Sequence, residues 1–261
     1  MLLEVKQATK SFRGRRGGKP VLAVDRADLR ATDGDFVAIV GESGSGKSTL
    51  ARMLLGLIPA TSGAIELDGV DIARMHGAQR AGYRRRVQAV LQDPAGSLNP
   101  RKTVRRSIAE IVRLHGLARD RAGIDEMVVD ALEMVGLSPA EAFLGRYPNE
   151  LSGGQRQRVL IARAVVLRPK IIVADEAVSA LDASVKAGVL RLMTDLQRDL
   201  GLGYVFITHD LPVVKKVADY VYVMQGGRIV EHGPKDRIFA SPEHPYTQTL
   251  LAASPVLDLA G

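Results

Sequence analysis

A glycine-rich loop between an apolar strand and a helix constrains this chain most. Residues 36–40, FVAIV, form a continuous apolar run, which is typical of a parallel strand covered on both faces. Residues 41–49 read GESGSGKST, match the pattern G-x-x-x-x-G-K-[ST], and lead into a helical pattern from Lys47. In that context backbone N–H groups can surround phosphate oxygens, and the helix N-terminus adds positive potential. Residues 41–49, called the phosphate loop below, therefore predict a nucleotide site.

The residues of the phosphate loop have distinct predicted roles. The N–H groups of residues 43–48 would wrap the β- and γ-phosphates, Lys47 would contact the same phosphates, and the Ser48 hydroxyl would bind Mg²⁺. The predicted ATP-binding residues of the loop are Gly41, Glu42, Ser43, Gly44, Ser45, Gly46, Lys47, Ser48 and Thr49. The alternative is a chance Gly/Ser turn, which the flanking strand and helix disfavour.

A pair of acids follows a second apolar strand. Residues 170–174, KIIVA, deliver Asp175 and Glu176 to the C-terminal end of that strand. Ligands of open parallel sheets bind at this edge, where the phosphate loop also lies. We expect Asp175 to hold Mg²⁺ through water and Glu176 to polarise an attacking water. Two solvated acids at a strand end are the alternative.

A second pair of glycines opens another helix. Residues 151–155 read LSGGQ, and a helical pattern runs on to Leu167. Ser152 is a candidate N-cap, and the two glycines in the first turn make a second anion site. Because one chain already has a phosphate loop, this second site is best explained if it serves the ATP of another chain.

Composition excludes several other classes of protein. Hydrophobic residues make up 46% and charged residues 25%, which is ordinary for a globular protein. Cysteine is absent, so disulfides, thiolate metal sites and a cysteine nucleophile are excluded. The net charge of +7 favours nucleic acid, phosphorylated ligands or an anionic membrane surface. The sequence has neither a long apolar run nor a signal peptide, which predicts a cytoplasmic, at most peripheral, location.

The motifs together resemble the ATP-binding cassette (ABC) ATPases. They occur in the order found in that family: GESGSGKST, Gln92, LSGGQ, VADE, SALD and His209. The resemblance covers nearly the whole chain and implies a head-to-tail dimer that sandwiches two MgATP molecules. Each ATP would lie between one chain's phosphate loop and the other chain's LSGGQ. The implied contacts to that second ATP come from Ser152, Gly153, Gly154 and Gln155.

The resemblance assigns four further residues. It implies that Phe12 stacks on adenine, that Asp182 of SALD crosses the dimer interface, and that His209 contacts the γ-phosphate. It also implies that Gln92 reaches Mg²⁺ and the attacking water and senses the transporter. With Glu176, the residues Gln92 and His209 complete the predicted catalytic set. A core role for Phe12 and a helix-capping role for His209 are the alternatives.

Two short sequence segments indicate which branch of the family the chain resembles. Residues 97–102, SLNPRK, and 244–251, HPYTQTLL, resemble the bacterial importers of dipeptides, oligopeptides and nickel. DEAVSAL (175–181) and NPRKTVR (99–105) favour nickel, whereas HPYTQTLL favours peptides, so the solute stays open. HPYTQTLL would alternatively be a plain amphipathic helix whose leucines cover the core.

The predicted fold is α/β: a P-loop NTPase core with a mixed sheet, an N-terminal antiparallel β part and an α-helical insert. We expect one ABC domain, with residues 1–96 and 150–261 forming the core and 97–149 the insert. Leu98 and residues 99–115 are expected to line a groove that receives a permease helix; the alternative is that these apolar residues close the insert's own small core.

The predicted function is ATP hydrolysis that energises a bacterial importer of peptides or nickel from the cytoplasmic face of the inner membrane. The expected partners are ATP, permease subunits, an identical or different second ATPase subunit, and indirectly a periplasmic or extracellular solute-binding protein; nucleic acid is not expected. The alternatives are a soluble ABC ATPase acting on nucleic acid or the ribosome, and a regulatory module without useful hydrolysis.

Overall fold

The computed structural model describes residues 1–13, 20–91 and 94–254. The chain divides into two compact units. The first comprises residues 1–80 and 203–261, and the second comprises residues 81–202. Gln92 lies outside the described residues, so its predicted role is not addressed by the structure.

An antiparallel sheet begins the first unit. Its strand order is β2-β1-β4-β5, and Leu2 of β1 pairs with Thr32 of β2. The strands are β1 (Leu2–Phe12), β2 (Val21–Thr32), β4 (Ser62–Leu67) and β5 (Val70–Asp71), and a 3₁₀ turn (Ile72–Arg74) follows. This is the predicted N-terminal antiparallel part.

A mixed sheet carries the phosphate loop in the same unit. The order of its strands within the unit is β10-β9-β3-β8, with β3 parallel to both β8 and β9. These strands are β3 (Phe36–Val40), β8 (Gly203–Ile207), β9 (Tyr220–Gln225) and β10 (Arg228–Pro234). All residues of β3 and β8 are buried, as expected of parallel strands covered on both faces. The last pair is antiparallel, joined by the predicted hairpin turn at Gly226 and Gly227.

Helices cover this sheet. They are α1 (Lys47–Leu54), α9 (Leu211–Val217), α10 (Lys235–Ala240) and α11 (Pro245–Ala252). Side chains of β3, β9 and α9 form one buried cluster, against which Leu250 and Leu251 of α11 pack. HPYTQTLL therefore does form a helix whose leucines cover the core. Helix α2 (Gly77–Arg86) leads along the chain to the second unit.

The second unit combines a parallel strand pair with six α-helices and a 3₁₀ turn (Pro148–Glu150) among its described residues. Strands β6 (Val87–Val90) and β7 (Ile171–Asp175) pair in parallel. The helices are α3 (Pro94–Ser97), α4 (Val104–Leu114), α5 (Arg121–Met134), α6 (Glu141–Leu144), α7 (Gly153–Val165) and α8 (Ala183–Leu200). The region between β6 and β7 is thus helical, as predicted, whereas the insert boundaries at 97 and 149 stay a prediction.

The expectation for Leu98 is wrong. Its side chain is only 2% exposed and belongs to the buried core instead of lining an open groove. The leucine closes the interior of its own unit. The cause is simple: an apolar residue beside a helical insert can face either its interior or its surface, and the sequence pattern does not distinguish the two.

Candidate functional site

Contacts with neighbouring backbone shape the phosphate loop and make two of its glycines irreplaceable. Gly46 has φ 106°, and a Cβ there would lie 2.2 Å from the carbonyl oxygen of Ala23. Gly41 has φ 148°, and its Cβ would lie 2.1 Å from the carbonyl oxygen of Met224. Backbone oxygens cannot move aside as a flexible side chain would, so both positions require glycine. These contacts hold the loop at the end of β3.

Lys47 is folded into the loop and is only 6% exposed. Its Nζ atom donates to the carbonyl oxygens of Gly41 (2.7 Å) and Glu42 (2.6 Å) and to the Ser45 hydroxyl (3.3 Å). The loop therefore surrounds a buried cation with oxygen acceptors. A phosphate group at this place would be attracted by the same charge.

Two elements from the C-terminal part of the chain support the loop. The N–H of Gly227, in the β9–β10 turn, donates to the Ser45 carbonyl oxygen (2.9 Å). The N–H of Glu42 donates to the hydroxyl of Tyr246 in α11 (3.0 Å). The phosphate loop is thus fixed from outside at its beginning and its middle.

Phe12 and His209 also belong to the first unit. Phe12 is the last residue of β1 and is 41% exposed, and Lys10 Nζ lies 5.3 Å from the centroid of its ring. An exposed ring at a strand end is available for stacking, which disfavours the core alternative. His209 follows β8 and is exposed. The N-cap of α9 is Asp210, which accepts the N–H of Val213 (3.3 Å), so the capping alternative for His209 is wrong.

The predicted acids lie at the end of β7 in the second unit. Asp175 is the last strand residue and is 8% exposed. Glu176 follows in a left-handed backbone conformation with φ 50°, which is costly for a side chain other than glycine, asparagine or aspartate. The N–H (3.2 Å) and hydroxyl (3.0 Å) of Ser179 both donate to the Glu176 carbonyl oxygen. The turn is therefore held by specific bonds, and strain of this kind is concentrated at functional sites.

The LSGGQ segment opens α7 with a capping box. The Ser152 Oγ accepts the N–H of Gln155 (3.2 Å), and the Gln155 side-chain oxygen accepts the N–H of Ser152 (3.0 Å). Gly153 and Gly154 form the first turn, where a helix offers its own N–H groups no acceptors. The predicted cap and the predicted anion site are therefore compatible: the serine orders the helix start that presents the glycine amides.

The SALD segment lies directly against this helix start. A Cβ on Gly154 would come within 2.5 Å of Val185 Cγ1, and one on Gly153 within 3.6 Å of Leu181 Cδ2. Asp182 caps α8 by accepting the N–H of Val185 (3.0 Å), and that bond holds the pKa of its carboxyl below the usual range. The structure thus brings Gly154 and Asp182 to neighbouring helix starts in the second unit.

Replacing Gly154 with alanine is expected to destabilise the protein by about 1–3 kcal/mol, because the new methyl overlaps a stiff β-branched side chain. Gly153→Ala is the matched control, since its methyl would meet Leu181 only at ordinary contact distance. Adding Val185→Ala to Gly154→Ala should restore most of the loss. Urea unfolding of the four proteins measures the effect, and equal midpoints for both glycine variants would contradict it.

Two polar residues are not predicted by the sequence patterns. Tyr246 belongs to the branch-specific segment HPYTQTLL, and no local pattern reveals its bond to Glu42 across 204 positions. Arg163 of α7 is partly buried: its Nη1 donates to the Ser97 carbonyl oxygen (2.7 Å), and burial lowers its pKa. An arginine at an otherwise apolar helix position was the one available signal.

The described residues contain neither a metal-binding cluster nor a membrane-spanning helix. No group of three or more His, Asp or Glu side chains could together hold a metal ion there. No helix in the described ranges combines the length and the apolar character needed to cross a membrane.

Known proteins with similar sequences indicate the family of this chain. The profile described as ABC transporter matches residues 24–179, and that of the oligopeptide/dipeptide transporter C-terminal region matches 230–260. The probable peptide ABC transporter ATP-binding protein y4tS of Sinorhizobium fredii is 48% identical across 99% of this chain and 74% of its own length. The glutathione import ATP-binding protein GsiA of Salmonella typhimurium is 48% identical across 92% of the chain, which spans only 38% of GsiA.

A solved structure supports the same conclusion. The ATP-binding cassette MJ0796, a dimer in a post-hydrolysis state bound to ADP and Pi, has a TM-score of 0.78 and 28% identity. The match covers 89% of this chain and 98% of that cassette. With the two profile matches, these likenesses show that the chain belongs to the ABC transporter family of ATPases, in the group that carries the oligopeptide/dipeptide transporter C-terminal region.

Proposed function

We propose that this chain binds and hydrolyses MgATP, together with a second ATPase subunit, to energise peptide uptake through partner permeases. The observation that carries the proposal is the presence in one chain of a closed phosphate loop and a separate capped glycine helix start. The C-terminal match and the names of the relatives support a peptide importer over a soluble ATPase acting on nucleic acid or the ribosome. Nickel as the solute stays a prediction.

The phosphate loop is proposed to bind the nucleotide. The loop amides and Lys47 would hold the phosphates, and Phe12 would stack on the adenine. The Ser48 hydroxyl and the Asp175 carboxylate are oxygen donors, which Mg²⁺ prefers, and Mg²⁺ commonly takes one or two protein ligands beside phosphate oxygens. Membership of the ABC family supports Ser48, Asp175 and Gln92 as the proposed ligands of the ion, which would neutralise phosphate charge when bound.

Hydrolysis would need only positioning and one proton acceptor. Glu176 would orient and polarise the attacking water, and His209 would donate a hydrogen bond to the γ-phosphate. The held turn at Ser179 supports this role for Glu176, because it fixes the backbone from which the carboxylate extends. The protein itself would take little part in covalent chemistry.

A head-to-tail dimer would complete each site. Ser152 orders the first turn of α7, whose glycine amides would face the ATP held by the other chain. Asp182 would lie at the dimer interface, since it caps the neighbouring helix start. The dimeric form of the MJ0796 cassette supports this proposal.

A groove in the second unit is the proposed contact with the membrane subunits at the cytoplasmic face. Its volume is about 450 Å³, and it is lined by Gln88, Ala89, Val90, Leu91, Gly96, Ser97, Ile111, Leu160, Arg163 and Ala164. The walls are about half apolar and half polar, and one guanidinium group, that of Arg163, is partly buried among them. A short amphipathic permease helix with an acidic side chain would match both properties. Ile111 lies within residues 99–115, so one residue of the stretch that is expected to line a groove does line this one.

Introducing a charge into this groove should uncouple the chain from its permease. Ile111→Glu is expected to lower co-purification with the permease and peptide uptake at least about tenfold, because the carboxylate would be buried against the docked helix and face Arg163 in place of the partner's acid. Basal ATPase activity without the permease should persist. Affinity capture from membranes, with uptake of labelled peptide, measures both effects.

Leu114→Glu is the matched control on the same helix. Leu114 is 78% exposed and does not line the groove, so the same change there should leave capture and uptake intact. Normal transport by the Ile111→Glu protein, or equal losses in both variants, would place the permease contact elsewhere. Leu98→Glu is unsuitable, since a buried charge at that position would unfold the unit.

A further inference from the structure

The C-terminal helix α11 reaches the phosphate loop through one hydroxyl group. Tyr246 Oη accepts the N–H of Glu42 at 3.0 Å. The same peptide group carries the Gly41 carbonyl oxygen, which accepts Lys47 Nζ at 2.7 Å. A trans peptide is planar, and its N–H and C=O point in opposite directions. One peptide plane of the loop is therefore held from both sides, by Tyr246 on one and Lys47 on the other.

A buried carboxylate anchors the helix that carries Tyr246. Glu231 of β10 is 7% exposed, and its two oxygens accept the N–H groups of Glu243 (2.9 Å) and His244 (3.1 Å). Burial acts to raise the pKa of Glu231, but these N–H groups, the Thr247 hydroxyl and the charge of Arg237 together outweigh it, and the pKa lies below the usual range. The His244 ring then caps α11 by accepting the N–H of Tyr246 (3.2 Å). The backbone at Tyr246 is thus fixed to the sheet.

The ring of Tyr246 is fixed as well. It packs with Leu250 and Leu251 against the buried cluster that includes Leu211 and Val214 of α9. Helix α9 is the helix that follows His209. The hydroxyl is therefore presented by a side chain whose backbone and ring are both held, which is what a preorganised contact needs.

We propose that Tyr246 is a positioning residue for ATP binding, which holds the Gly41–Glu42 peptide of the phosphate loop in its binding orientation. The inference rests on the proposed function of the loop. When Lys47 leaves the loop carbonyls for a phosphate, the Tyr246 hydroxyl is the bond that still holds this peptide. Without the bond from the Tyr246 hydroxyl, part of the free energy of ATP binding would be spent on ordering the first part of the loop.

Both residues of this anchor belong to the matched transporter C-terminal region. Glu231 and Tyr246 both lie within residues 230–260, the match to the transporter C-terminal region, and outside residues 24–179. The C-terminal region thus supplies both the anchor and the hydroxyl. It acts on the nucleotide site of its own chain.

Tyr246→Phe tests the proposal, because it removes the hydroxyl and keeps the packed ring. We expect ATP to bind about 3- to 10-fold more weakly, the factor that corresponds to one hydrogen bond of ordinary net strength. The KM for ATP should rise by a similar factor, with kcat and the melting temperature nearly unchanged. Hydrogen exchange of the Glu42 amide, followed by NMR without nucleotide, should become faster.

Tyr204→Phe is the matched control. The Tyr204 hydroxyl is buried and has no hydrogen-bond partner within the described residues, so its removal should leave ATP affinity and Glu42 exchange as in the wild type. Wild-type ATP affinity with unchanged Glu42 exchange in Tyr246→Phe would overturn the inference. So would a lower melting temperature with unchanged affinity, which marks a merely structural role. If the wild type itself binds no ATP, the proposed function fails, and Glu42 exchange still decides whether Tyr246 holds the loop.

Discussion

Glu176→Gln is expected to lower ATP turnover by about 10²- to 10⁴-fold, the usual contribution of a positioned general base. Glutamine matches glutamate in size, so the held turn with φ 50° should persist. ATP should still bind, because the phosphate loop is untouched by the change. Closed dimers that contain ATP should therefore accumulate. Steady-state phosphate release measures turnover, and size-exclusion chromatography with ATP measures the dimer.

Glu126→Gln is the control for loss of a carboxylate. Glu126 is exposed on α5 in the same unit, so its replacement should leave turnover unchanged. Loss of ATP binding in Glu176→Gln would show that the residue acts on binding instead of chemistry. Turnover near that of the wild type would remove Glu176 from the catalytic set.

The parts of the site that the sequence predicts best are those with local causes. The phosphate loop needs glycine at Gly41 and Gly46, and the structure shows why: a Cβ at either position would overlap a backbone oxygen. The buried strand before the loop and the capped helix at Ser152 are also local patterns, and both occur where predicted. The comparisons confirm the predicted family, the α/β fold class and the ATPase class.

Features that depend on distant contacts could not be predicted. The bond between Glu42 and Tyr246 joins residues 204 positions apart, so no periodicity or spacing reveals it. The left-handed backbone of Glu176 depends on Ser179 closing the turn. The buried position of Leu98 is not predictable either, because a single leucine beside a helical region suits an interior as well as a groove. The predicted roles at the nucleotide stay predictions, since they depend on a ligand and a second chain.

Mixing two defective chains is expected to restore one complete nucleotide site per mixed dimer. Lys47→Ala removes the buried cation of the phosphate loop, and Ser152→Arg removes the helix cap and fills the anion site with a large side chain. If each site joins one chain's loop to the other's LSGGQ, both defects fall in the same site of a mixed dimer, because the two-fold arrangement exchanges partners. The other site is intact. Two affinity tags isolate mixed dimers, and labelled ATP then counts the occupied sites.

The same two substitutions on one chain, paired with a wild-type chain, provide the decisive control. Sites built across the dimer would then each carry one defect, so no intact site should remain. Sites built within one chain would give the opposite pattern, with one intact site in this second dimer and none in the first. Since both dimers contain the same substitutions, a general loss of stability would lower ATP binding equally in both. Only the way in which the two chains share their sites can make them differ, so ATP bound equally by both would count against the sandwich.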